Sequence, residues 1–245
     1  MAKTEEASGR RMSNKALCGI RACVFDAYGT LFDVASAARC STADVVETET
    51  AGRLAKLWRN KQLQYTWLRA VQNRHADLWQ VTGEALDFAL ETLAMADPAL
   101  RERLMQGYLA LDAYPEAAAA LRALREAGIA TAILSNGTPA MLSAVVDHAG
   151  LGELFDHVLS VEEAGVYKPH AQVYQLACDR LGIPAEAILF VSSNGWDAWA
   201  ASAFGMRVAW CSRQGLTRER LPGAPDHDIR SLAELPGLLA APAAI

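Results

Sequence analysis

The chain has 245 residues, 52% apolar and 21% charged, enough for one α/β core plus a smaller accessory domain; this excludes collagenous, disordered and disulfide-stapled classes. The formal net charge is -5 with no Lys/Arg run longer than Arg10-Arg11, so no nucleic-acid footprint is present. Cys18, Cys23, Cys40, Cys178 and Cys211 are odd in number and lack CxxC spacing, which argues against disulfides and zinc and for a reducing cytoplasm.

Residues 1–18 read as a mobile N-terminal tail. Met1 to Lys15 is polar and lacks the apolar segment of a secretory signal, and no later stretch reaches the ~18 apolar residues of a membrane span. Five apolar runs then read as buried strands: Ala22 to Phe25, Thr131 to Leu134, His157 to Ser160, Ala187 to Val191 and Val208 to Cys211. None alternates strictly, as expected when helices cover both sheet faces. Helical stretches lie between the last four, including Glu116 to Ala127, Pro139 to Ala149 and Ala171 to Leu181, stopped by Gly128, Gly150 and Gly182. The alternation predicts a doubly wound parallel sheet, a Rossmann-like core over residues 19–33 and 115–245. Residues 34–114 break it and read as an inserted helical cap, with Leu54, Leu57, Trp58, Tyr65, Leu68 and Leu78 among many charges. Ligands of such folds bind at the carboxyl ends of the strands, so an insertion after the first strand acts as a lid.

Polar residues interrupt the apolar pattern at that same end. The first strand runs into Asp26-Ala27-Tyr28-Gly29-Thr30, the second into Ser135-Asn136-Gly137, and the fourth into Ser192-Ser193-Asn194-Gly195-Trp196-Asp197. Tyr167-Lys168-Pro169 follows the third. Taken singly these are bland: Asp26 could cap a turn, Arg59 could be a solvated helix residue, Lys168-Pro169 is loop material, and Ser135-Asn136-Gly137 could be a strand-to-helix turn. The histidines at 75, 148, 157, 170 and 227 show no ligand spacing and read as structural. Gly150-Leu151-Gly152 follows a helix, which makes it a helix stop and not a dinucleotide loop. Trp199 and Trp210 read as core as readily as pocket.

In combination the four motifs resemble the haloacid dehalogenase superfamily, over about Ala22 to Trp210. The similarity is greatest to the L-2-haloacid dehalogenases, through Phe25 to Asp33, Leu57 to Leu63 and Val191 to Asp197. A phosphoryl-transferring member typically has a second Asp two positions after the nucleophile and further strand-four acids for magnesium; this chain has Tyr28 and only Asp197. A halide leaves without a proton, so the missing acid suits dehalogenation and handicaps ester cleavage, and tight magnesium binding is not expected.

The resemblance implies a metal-independent, cofactor-free hydrolase acting on (S)-2-haloacids, with halide as co-product. Asp26 is the implied nucleophile, with inversion at C2 through an aspartyl ester. Arg59, with Asn136, is implied to receive the halide. Ser135 and the amides around Ala27 and Tyr28 hold the substrate carboxylate, and Lys168 keeps Asp26 ionised. Asp197, Ser192, Asn194 and Tyr174 fix Lys168 and the hydrolytic water, with Tyr174 also placed among the substrate-contacting residues. Thr30 bonds near the nucleophile, and Tyr28, Leu63 and Trp196 form an apolar wall. A homodimer joined through the cap helices is also implied. Two departures stand out: Asn60 where the dehalogenases usually carry Gln, which puts substrate-size preference in question, and Gly195 where Ala is common. A magnesium-dependent phosphatase or phosphonate hydrolase is the competing enzyme class. A catalytically silent binding protein is expected to have lost Asp26 or Lys168, and both are present.

Overall fold

The computed structural model describes residues 17–37 and 48–239. The expected tail lies outside the described residues up to residue 16, as does Cys40. Leu17, assigned to that tail, is instead buried against the core, because an apolar side chain next to the sheet gains by leaving water.

Six parallel strands form one sheet, in the order β3-β2-β1-β4-β5-β6. They are β1 (Ala22–Phe25), β2 (Ala130–Ser135), β3 (His157–Ser160), β4 (Ile188–Ser192), β5 (Arg207–Cys211) and β6 (His227–Ile229). Central strands β1 and β4 are buried at every position, which accounts for their unbroken apolar character. The third strand departs from expectation. β3 lies at the sheet edge, so His157 and Val158 are exposed and only Leu159 and Ser160 are buried. β6 has one apolar residue that faces the core, and side chains stitch it on: Asp226 accepts from Val208 N at 2.9 Å and pairs with Arg207 at 2.9 Å.

Between β1 and β2 lies the helical cap, with α1 (Thr48–Gln72), α2 (Leu78–Thr92) and α3 (Pro98–Gly107). Asp77 and Asp97 cap α2 and α3 by accepting from backbone N–H groups of their first turns. The buried stripe of α1 is Leu54, Trp58, Gln62 and Thr66, at intervals of four residues. Leu68, expected inside, is exposed, and the polar Gln62 and Thr66 take inward positions instead. The core helices α4 (Ala117–Glu126), α5 (Pro139–His148), α6 (Ala171–Leu181) and α7 (Gly195–Phe204) flank the sheet, and α8 (Leu235–Leu239) is the last described element. Gly182 ends α6 at φ 63°, a left-handed position that suits glycine.

β1 sits between β2 and β4, so the chain winds outward in both directions from it. The crevice at its carboxyl end is the switch point at which α/β sheets bind ligands. Cap and core meet over that crevice. Tyr114 N donates to Leu31 O and Asp33 N to Asp112 O, which pins the return of the cap beside its departure.

Candidate active site

Asp26 continues β1 by one residue, its N–H donating to Val191 O at 2.9 Å, and its side chain is 8% exposed. The two carboxylate oxygens have unlike surroundings. Oδ2 accepts from Asn194 Nδ2 at 2.7 Å and Thr30 Oγ1 at 3.0 Å, with Ser192 Oγ at 3.4 Å. Among the described residues Oδ1 has one hydrogen-bond contact, Lys168 Nζ at 3.3 Å, which leaves lone pairs free. Thr30 is oriented in turn by accepting from Ser193 N at 2.8 Å. Asn194 is the N-cap residue of α7 yet makes no side-chain cap bond, because its amide spans Asp26 and Tyr28 O.

Lys168 is fully enclosed, with Nζ 2.9 Å from Asp197 Oδ2 and 4.9 Å from the Phe190 ring centroid. Burial alone pushes a lysine down, but the Asp197 and Asp26 carboxylates outweigh it and hold the ammonium above its ordinary value. Burial raises the Asp197 carboxyl to about 6, with Lys168 opposing and Asp26 adding to the rise. Tyr174 Oη donates to Asp197 Oδ1 at 2.7 Å. Tyr174 therefore stands behind Asp197 and is not among the residues that line the cavity over Asp26. The reason is direction: α6 packs its inner face against β4, where the Tyr174 ring meets Phe190.

From the cap, Arg59 reaches down between Gln62 Oε1 at 2.7 Å and Tyr28 O at 3.5 Å. Asp26, Tyr28, Arg59, Leu63, Ser135, Asn136, Asn194 and Trp196, all expected at the site, line one cavity of about 10 Å³, room for about one water. Ser135 Oγ accepts from Gly137 N at 3.1 Å, and Asn136 Oδ1 accepts from Lys168 N at 3.0 Å. The amide N–H groups of Ala27 and Tyr28 meet no protein acceptor among the described residues. Tyr28 Oη and Trp196 Nε1 are buried donors without a partner among the described residues. Burial holds the Tyr28 phenol well above its ordinary value, so it is a neutral donor.

Residues absent from the sequence reading complete the cap wall. Gln62 accepts from Arg59 and from Tyr108 Oη (3.1 Å) while donating to Thr82 Oγ1 at 2.6 Å, and Tyr108 stacks near both Tyr28 and Trp58. Gln62 was detectable, being one helical turn from Arg59; Tyr108 arrives from the far end of the cap with no local signal. Asn60 is exposed and lines neither this cavity nor the one of about 350 Å³ on the other side of Arg59. One residue along a helix is a rotation of about 100°, so Asn60 points away and does not widen the pocket. Gly195 packs by the flexible Glu219 side chain, at the outer side of its turn.

A family model described as haloacid dehalogenase-like hydrolase matches residues 20–205, which takes in the site from Asp26 to Asp197. The chain belongs to the haloacid dehalogenase-like hydrolase family. It is 46% identical over 221 residues to (S)-2-haloacid dehalogenase 1 of Pseudomonas sp. strain CBS-3, covering 90% of this chain and 96% of that one. A solved dehalogenase superposes with a TM-score of 0.88 at 45% identity, over 92% and 99% of the two chains. An L-2-haloacid dehalogenase from Xanthobacter autotrophicus, solved with chloropropionic acid covalently bound, superposes at 0.83 with 39% identity, over 90% and 98%. In this chain the Asp26 and Asp197 carboxylates share one lysine, and no group of three or more His, Cys, Asp or Glu among the described residues is arranged to hold a metal.

Proposed function

We propose that this hydrolase converts (S)-2-haloalkanoic acids to (R)-2-hydroxyalkanoic acids and halide, through an ester on Asp26. The observation that carries the reading is the Asp26 carboxylate itself, with three donors converging on Oδ2 and Oδ1 left open beside Lys168. Donors in place before reaction cost no reorganisation when charge moves. Oδ1 attacks C2 from behind the carbon–halogen bond. The bond's electron pair leaves with the halide, which needs no proton, toward Arg59 on the cap. The unpartnered amides of Ala27 and Tyr28, with Ser135, receive the substrate carboxylate.

Water then attacks the ester carbonyl carbon of Asp26, and the bond from that carbon to Oδ1 breaks. Oδ1 leaves as the hydroxyl oxygen of the product with one proton from the water, while the other proton is released and Asp26 returns with one oxygen from solvent. Asp197, raised to about 6, sits one Ser192 hydroxyl away from Asp26 and is suited to accept a proton from that water near neutrality. Tyr28, where a proton-donating Asp serves phosphoryl transfer, and the engagement of both carboxylates by Lys168 favour this reading over a phosphatase.

Chloride release from each enantiomer of 2-chloropropionate in EDTA tests it. Release from the (S) form alone, giving (R)-lactate, is expected. A divalent-metal requirement, or one turnover in heavy-oxygen water that leaves position 26 unlabelled, overturns it.

No helix of the described residues is long and apolar enough to cross a membrane. We place the enzyme in the cytoplasm, in keeping with the free Cys18, Cys23, Cys178 and Cys211. A homodimer through the cap belongs to the same reading, supported by Leu68, Val71 and Phe88 exposed on α1 and α2.

A further inference from the structure

We infer that Arg213, just beyond β5, is a positioning residue for Asp26 that locks together the two loops supplying the nucleophile's hydrogen-bond donors. Each terminal N–H of its guanidinium has an acceptor: Nη1 donates to Ser193 Oγ at 2.8 Å and Gly29 O at 3.4 Å, Nη2 to Thr30 O at 3.0 Å and Glu116 Oε1 at 3.0 Å. Its Cζ lies 3.6 Å from the Tyr114 ring centroid. Gly29 and Thr30 belong to the loop after β1, Ser193 to the loop after β4, and Tyr114 and Glu116 to the segment by which the chain returns from the cap.

Thr30 and Asn194 hold Asp26 Oδ2 from these two loops, and Ser193 N donates to Thr30 Oγ1 between them. A shift of either loop by a fraction of an ångström separates the donors from Oδ2 and turns Oδ1 off the attack line. Arg213 touches neither Asp26 nor the cavity over it, so its effect passes through the loops. Lysine cannot replace it, because a point charge lacks the planar fork that reaches four acceptors at once.

The inference rests on Asp26 as nucleophile. It is tested by single-turnover ester formation, kcat, KM and thermal unfolding on wild type, R213K, R213Q, S193A and E116Q with (S)-2-chloropropionate. R213K and R213Q are expected to form the ester about 10- to 100-fold more slowly. Their KM stays within about twofold of wild type. S193A loses one bond and shows a smaller decrease, while E116Q keeps an oxygen acceptor and the wild-type rate. Wild-type rates in R213K and R213Q, or a rise in KM with kcat unchanged, overturn the inference. If R213Q does not fold, a wild-type rate in S193A overturns it. A wild type that forms no ester instead refutes the nucleophile reading.

Discussion

Asp26 and Asn are nearly the same shape, and the donors at Oδ2 can hold either, but an amide oxygen does not displace halide. Asp26→Asn is therefore expected to fold and to release chloride at less than about 1% of the wild-type rate. Comparable rates in the two proteins would point to another attacking group. Among the described residues, Arg59 is the cap cation that lines the cavity over Asp26, and Gln62 fixes its direction. Arg59→Ala is expected to slow turnover by at least about 100-fold, equivalent to about 2.7 kcal/mol of barrier. A steady-state rate that does not change would place its guanidinium outside the reaction.

At the level of elements, the site depends on how closely the turn after β2 approaches the loop after β1. A Cβ on Gly137 meets Tyr28 Cε2 at 2.9 Å and Oη at 3.0 Å, and the Tyr28 ring is held on its other side by Tyr108. Gly137→Ala must push that ring toward the cavity. A loss in kcat/KM of about tenfold is expected, with the unfolding midpoint moving only a few degrees. The opposite pattern, a large thermal shift with intact kinetics, would mean that the turn serves packing alone.

Across the whole molecule, Lys168 is the cation that reconciles two buried carboxylates, one just past β1 and one in the first turn of α7, with one interior. Replacing it by Met leaves both without a counter-charge, a loss of about 3–5 kcal/mol of stability in urea unfolding. Asp197 behaves oppositely to a salt-bridged surface acid, because its carboxyl is raised in the fold above its unfolded value. Its contribution to stability is fully present below the unfolded value and is lost as pH climbs through about 6. Activity runs the other way. Below about pH 6 Asp197 becomes neutral, Lys168 loses one partner and water loses its proton acceptor, so kcat is expected to decline. The alkaline limb lies above the ordinary lysine range, because Lys168 is raised. A pH profile of kcat that stays level between 5 and 7 would separate Asp197 from the chemistry.

The parallel sheet was legible because buried strands must be apolar on both faces, and β1, β2, β4 and β5 follow that rule. Edge strand β3 and the side-chain-stitched β6 depart from it, and only pairing partners reveal why. Asp26, Lys168 and the end of β4 could be read as a set because strand ends converge in any doubly wound sheet. The inward Thr66 of α1 was hidden, since a polar residue in a helix looks solvated until a partner is seen. Local composition thus determined the layered core, the helical cap and the polar strand ends beneath it. Tertiary structure alone decided that Tyr174 backs Asp197, that Asn60 faces solvent, that Tyr108 holds Gln62 and that Arg213 joins the loops behind Asp26. Those contacts join segments far apart in the chain, and no short-range pattern encodes a distance that folding has yet to create.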